Sequence, residues 1–194
     1  MFIQTEDTPN PQSMKFRPGQ PVLGEGALGQ DYPSAEAAAR APLARSLFEI
    51  DGVEGVFLGA DFITVTKSEG VEWMHVKPAI LGAIADGLLA GLGGQEEGAA
   101  PSSAPATSLD DYEGEDREVV EQIIELIDTR VRPAVAQDGG DIVFKHYEPR
   151  TGVVFLSLHG SCSGCPSSTM TLKSGVENLL KHYVPEVVKV EAVA

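Results

Sequence analysis

The sequence predicts an α+β protein of two small domains, an antiparallel sheet with two helices followed by an α-β-β-α-β unit. Three observations carry this expectation. Residues 93–111 consist of Gly, Ala, Ser, Pro, Gln, Thr and acids with Leu109 as the single large apolar side chain, a composition that cannot support a core. A linker over 93–113 therefore divides residues 1–92 from residues 114–194, each near the lower end of independent foldability. On one side of it short β-rich runs alternate with helical stripes; on the other, one helix, a hairpin, a second helix and a last strand follow in order.

In the first domain Phe2–Thr5 and Met14–Phe16 read as strands separated by the turn-forming DTPNPQ. Ser34 caps a helix through AEAAARAPLARSLFEI, which Pro42 breaks or kinks near its middle. Two further strands, Val56–Leu58 and Phe62–Thr66, are joined by Gly59-Ala60-Asp61. A helix from about Val71 carries Trp73, Val76, Ile80, Ile84 and Leu88 on one face, a spacing that marks core, with His75 on the helix surface.

In the second domain Val120, Ile123, Ile127 and Val131 form the inward stripe of a helix that Pro133 stops or bends. After Gln137-Asp138-Gly139-Gly140-Asp141 come IVFKHY and GVVFLSLHG, a hairpin turning at Glu148–Thr151. The next helix points Met170, Leu172, Val176, Leu179 and Tyr183 inward, and VVKVEAV closes the sheet. Asp138–Asp141 is first of all a tight helix-to-strand turn that needs φ > 0, and only second a partner surface.

Charge and hydropathy exclude several roles. With 29 acidic against 14 basic side chains and no basic stripe, the chain is poorly suited to nucleic acid. The longest apolar run, 79–94, contains Asp86 and falls short of the ~20 residues a membrane span needs. No apolar stretch near the start resembles a secretory signal, and the acidic, strand-like opening is unlike a transit peptide, so a cytoplasmic protein is expected.

The two cysteines of the chain, Cys162 and Cys165, stand in GSCSGCPSS directly after the hairpin. Pro166 suits the first position of a helix, which places both sulfurs near a helix N-terminus, where the dipole and free N–H groups favour thiolate. A Gly- and Ser-rich loop is a poor core site, so both sulfurs are expected to be exposed and neither to be needed for packing. A thioredoxin-like redox pair suits the local motif, but the pair falls late in the sheet, with one helix and one strand to follow. Two thiolates are half of what tetrahedral zinc or an iron–sulfur cluster takes. His159 is the local candidate for a third ligand; His146 and His182 have weaker claims. Two chains, each giving Cys162 and Cys165 across a two-fold axis, complete a set of four.

Val131-Arg132-Pro133, Asp138-Gly139-Gly140-Asp141, Gly160–Ser168 and Thr171–Glu177 together closely resemble the Nfu-type iron–sulfur cluster carriers, relatives of the C-terminal domain of NifU, and residues 1–90 resemble the Nfu N-terminal domain. The resemblance implies a [4Fe–4S] cluster bridging two subunits through Cys162 and Cys165, received from an upstream scaffold and delivered to apo iron–sulfur proteins, with no turnover chemistry. It leaves an interaction, targeting or spacing role for the N-terminal domain, which has no cysteine. The absence of a transit-like segment favours a bacterial cytoplasmic form, although a mature mitochondrial matrix chain would look similar. Lys173 either is a solvated helix residue or offsets cluster charge. A thiol–disulfide oxidoreductase and a zinc-binding module are the alternatives.

Overall fold

Side-chain alternation builds the first sheet. The computed structural model describes residues 2–24, 27, 29–93, 112–162 and 166–193, with the backbone alone for 166–169; most of the expected linker, 94–111, lies outside them. Strands β1 (Gln4–Asp7), β2 (Ser13–Arg17), β3 (Gln30–Tyr32), β4 (Val53–Leu58) and β5 (Ile63–Lys67) pair in the order β1-β2-β5-β4-β3. All the pairings are antiparallel. One face of this sheet, with Phe16, Val56, Leu58, Ile63 and Val65, packs on two helices, α1 (Pro42–Phe48) and α2 (Trp73–Leu89).

Two details depart from expectation. Strand β3 is an extra edge: its three residues carry no periodic signal and become a strand by pairing with β4. The first strand starts at Gln4, leaving Phe2 80% exposed. At Pro42 the expected helix is broken rather than kinked: a short 3₁₀ turn over Ala37–Arg40 ends before it and Pro42 opens α1, where its fixed φ is an advantage. Helix α2 buries Val76, Ile80, Ile84 and Leu88 as the stripe predicts. Trp73 is half-buried, donating from Nε1 to Pro11 O at 3.2 Å, and His75 is exposed.

In the second domain α3 (Glu115–Leu126), a π turn (Ile127–Val131) and α4 (Arg132–Gln137) form one continuous helical run. Pro133 does not stop it. The wider π turn, in which Arg132 N donates to Ile127 O, lets the chain pass the position where the proline ring would clash with the preceding turn. Strands β6 (Gly140–Glu148), β7 (Val153–Gly160) and β8 (Lys189–Val193) pair in that order, β6 with β7 antiparallel and β7 with β8 parallel. Helix α5 (Pro166–Tyr183) forms the connection between β7 and β8.

The inward face of α5 is turned from the predicted one. Val176 and Leu180 are buried and Leu172 and Leu179 half-buried, whereas Met170 is 71% and Tyr183 45% exposed. Leu180 continues toward Val184 and Val187 in the core, and a groove of about 550 Å³ between α5 and the π turn, lined by Arg130, Val131, Leu172 and Leu179, leaves the predicted stripe partly uncovered.

Tyr112 anchors the start of this domain. Buried to 6% exposure, its hydroxyl donates to Tyr147 O at 2.9 Å and accepts from Tyr147 N at 2.8 Å, beside the register shift between Phe144 and His146. Tyr112→Phe leaves both backbone groups of a buried residue without this partner, so it is expected to cost about 1–3 kcal/mol in denaturant unfolding. An unchanged midpoint would show that the hydroxyl is not what holds this corner.

Candidate metal centre

Strand β7 ends at Gly160, whose φ of +67° turns the chain back over the start of β6 and into the cysteine loop. Cys162 follows, 6% exposed and part of the second core cluster. A methyl group on Gly140 would lie 2.7 Å from Cys162 Sγ, so the sulfur lies against the β6 backbone and Gly140 has no room for a side chain. For Cys162 this corrects the expectation of an exposed sulfur with no part in packing. A thiol is a small hydrophobe, and the turn at Gly160 carries it under the sheet rather than out of the loop. Ser163, Gly164 and Cys165 lie outside the described residues.

The Asp138–Asp141 turn supports Cys162 from below. Gly139 takes φ +81°, as a tight helix-to-strand turn requires. The Ser161 hydroxyl donates to Asp138 O and Ser161 N donates to Gly139 O at 3.3 Å, so the residue before the cysteine is held twice by this turn. Asp141 closes it: Oδ1 accepts from Arg132 Nε and from Ile142 N, both at 2.8 Å, and Oδ2 accepts from Arg132 Nη2 at 2.8 Å. This two-pronged contact holds the Arg132 guanidinium above its ordinary pKa.

The first sheet sits directly on the same turn. Lys15, Thr64, Phe57 and Asp31 are cross-strand partners in one row across β2, β5, β4 and β3, on the face turned away from α1 and α2. That face would ordinarily meet water, yet Lys15 is 5%, Thr64 1% and Phe57 2% exposed. Lys15 Nζ donates to Ala136 O at 2.8 Å and Gln137 O at 3.3 Å, and Thr64 Oγ1 donates to Gly139 O at 2.6 Å. A methyl on Gly160 would sit 3.1 Å from the Phe57 ring, and Gly160 N donates to Asp31 Oδ1 at 3.3 Å. The sequence showed β2, β4 and β5 but neither β3 nor this row, because both depend on pairing and register.

The other candidate ligands are engaged elsewhere. His159 Nδ1 faces Asp31 Oδ2 at 3.5 Å; His146 Nδ1 is 2.8 Å from the Tyr112 hydroxyl; His182 is exposed, its ring edge-on to Tyr183. Lys173 Nζ donates to Glu191 Oε2 at 2.7 Å, so its charge ties α5 to β8. Among the described residues no three His, Cys, Asp or Glu side chains gather as a metal would need.

Fold and motif together define an α+β protein of two sheets with a thiol pair at a strand-to-helix junction. Residues 3–91 match the family model for the Nfu/NifU scaffold protein N terminus, and residues 123–191 match the NifU-like domain. The chain is 52% identical over 193 residues to the proteins named NFU1 iron-sulfur cluster scaffold homolog, mitochondrial, of Drosophila sechellia and Drosophila simulans, covering 100% of this chain and 65% of each relative. It therefore spans about 65% of the length of these curated relatives. Among solved structures, the NifU-like protein of Saccharomyces cerevisiae is 27% identical, covering 46% of this chain and 80% of that one with a TM-score of 0.43. Protein SAV1430 of Staphylococcus aureus is 25% identical, covering 43% and 98% with a TM-score of 0.38. The chain belongs to the Nfu/NifU family of iron–sulfur cluster scaffold proteins. The names of these relatives as mitochondrial overturn the expectation of a bacterial cytoplasmic protein: an acidic, strand-like opening describes only that stretch, and the relatives are longer.

The tie between α5 and β8 has a pH signature. Hydrogen bonds from Lys173 and Lys189 hold the Glu191 carboxyl down from 4.5 to about 2. Because the folded value lies below the unfolded one, this contribution is present above pH ~4.5 and is lost as the pH falls through about 2. Glu191→Gln is expected to lower the melting midpoint slightly at neutral pH, the group being exposed, and to match the parent chain below pH about 2. A difference that persisted in acid would assign the effect to packing instead.

Proposed function

We propose that two copies of the chain bind one [4Fe–4S] cluster through Cys162 and Cys165 of each, and hand it to apo iron–sulfur proteins after loading from an upstream scaffold. The observation that carries this reading is the cysteine count: the chain has two, both in the loop between β7 and α5, and no ligand cluster stands beside Cys162 among the described residues. Half a ligand set in a scaffold family favours sharing between subunits. Residues 1–92 and 114–194, joined by 93–113, act as two domains in this reading, and the second carries the ligands.

Delivery is ligand exchange without redox change. Recipient thiols lose protons as they bind the irons, and the thiolates of Cys162 and Cys165 take protons up as they leave. The chain needs no catalytic group for this and has no turnover of its own. The start of α5 favours the thiolate form while the cluster is held.

Anaerobic reconstitution with iron and sulfide, followed by metal and sulfide assay, visible absorbance and mass in solution, tests the proposal. About four irons and four sulfides per two chains are expected. Cys165→Ser should lose both the cluster and the cluster-dependent dimer. Cys162→Ala should do so as well, with some loss of stability because Cys162 is part of the core. A monomer that takes no iron but reduces disulfides would replace the carrier with an oxidoreductase; tight zinc without cluster uptake would favour a zinc module.

A further inference from the structure

The N-terminal sheet is built against the cysteine turn rather than merely tethered to it. Its outer face presents the row Lys15, Thr64, Phe57, Asp31, and each member touches one of the two segments that frame Cys162, Lys15 and Thr64 residues 136–141, Phe57 and Asp31 residues 159–161. A buried ammonium is costly unless its donors are used, and Lys15 uses two on Ala136 O and Gln137 O, carbonyls of the last turn of α4. It is further compensated by Glu6 at 3.5 Å and by the Phe62 ring, 4.7 Å away. Thr64 completes Gly139 O, the same oxygen that accepts from Ser161 N. The next residue, Gly140, bears directly on Cys162 Sγ. Two residues more than 70 positions from the cysteine therefore fix the backbone that its sulfur rests on.

We propose that Thr64 and Lys15 are positioning residues for Cys162, through which the N-terminal domain sets where this thiol lies and how readily it leaves the core. A spacer or targeting module would need no buried polar contacts to this turn. Loosening the row should let the turn open and free the sulfur, with or without metal. The cluster part of the test rests on the function proposed above; the thiol part stands without it.

The thiol part uses the full chain carrying Cys165→Ser, in which Cys162 is the sole thiol, and follows its alkylation by iodoacetamide by mass spectrometry. Thr64→Val, which keeps the shape and removes the donor, and Lys15→Met, which keeps an apolar stem, should each raise the rate about fivefold or more. Thr64→Ser should restore the parent rate. In reconstituted two-cysteine chains, Thr64→Val should speed cluster loss to a chelator and alter the visible circular dichroism. Unchanged alkylation in Thr64→Val would overturn the proposal, as would a rate that follows the melting temperature and is not rescued by serine. If Lys15→Met fails to fold, Thr64→Val decides alone. A parent chain that binds no cluster would sink the carrier reading while leaving the alkylation result to judge this one.

Discussion

The hydrogen bond from Thr64 Oγ1 to Gly139 O is the constraint around which the two sheets are arranged. Gly139 O accepts from both domains at once, from Thr64 across the interface and from Ser161 N within its own sheet. A buried carbonyl deprived of either partner is destabilising, so the two sheets are held to one relative position at this point. Gly139 is also sterically bound to the arrangement: besides its φ of +81°, a methyl there would come within 2.9 Å of Thr64 Oγ1 and 3.2 Å of Thr8 Cγ2.

From this point the site follows in both directions along the chain. Upstream, Asp141 and Arg132 lock the turn to the helix that leads into it, and Lys15 takes up the last helical carbonyls. Downstream, Ser161 is fixed on two sides and delivers Cys162 into the core against Gly140. The thiol proposed as a cluster ligand is thus part of the packed interior. Core membership gives the sulfur a defined place, and in the proposed function it couples ligation to the packing of two domains. That coupling fits the proposed carrier, which would have to hold its cargo firmly and still release it.

Much of this architecture was legible because it rests on local periodicity. The helix stripe Val76, Ile80, Ile84, Leu88 and the hairpin before the cysteines follow directly from steps of four and of two. What failed did so for identifiable reasons. Strand β3 has no pattern of its own and exists only as a partner of β4. Of the two outcomes read for Pro133, a stop or a bend, the stop fails because a π turn upstream relieves its clash. On α5 the count placed Met170 and Tyr183 inward because apolar residues occur on more than one side of the helix, and the packing of Leu180 against the sheet chose the face. Cys162 was read as exposed from the small, polar residues around it, whereas its burial depended on where Gly160 sent the chain.

By itself the sequence determined the α+β class, the order of nearly every element, the glycine turn before β6 and the pair of thiols after β7, since each depends on neighbours a few residues apart. Only the tertiary structure decided that Lys15, Thr64, Phe57 and Asp31 form one row, that this row is an interface rather than a wet sheet face, and that Cys162 lies beneath it in the core. The reason is register: a strand's sequence shows which residues share a face, but what that face meets is settled by pairing across more than 70 residues of chain.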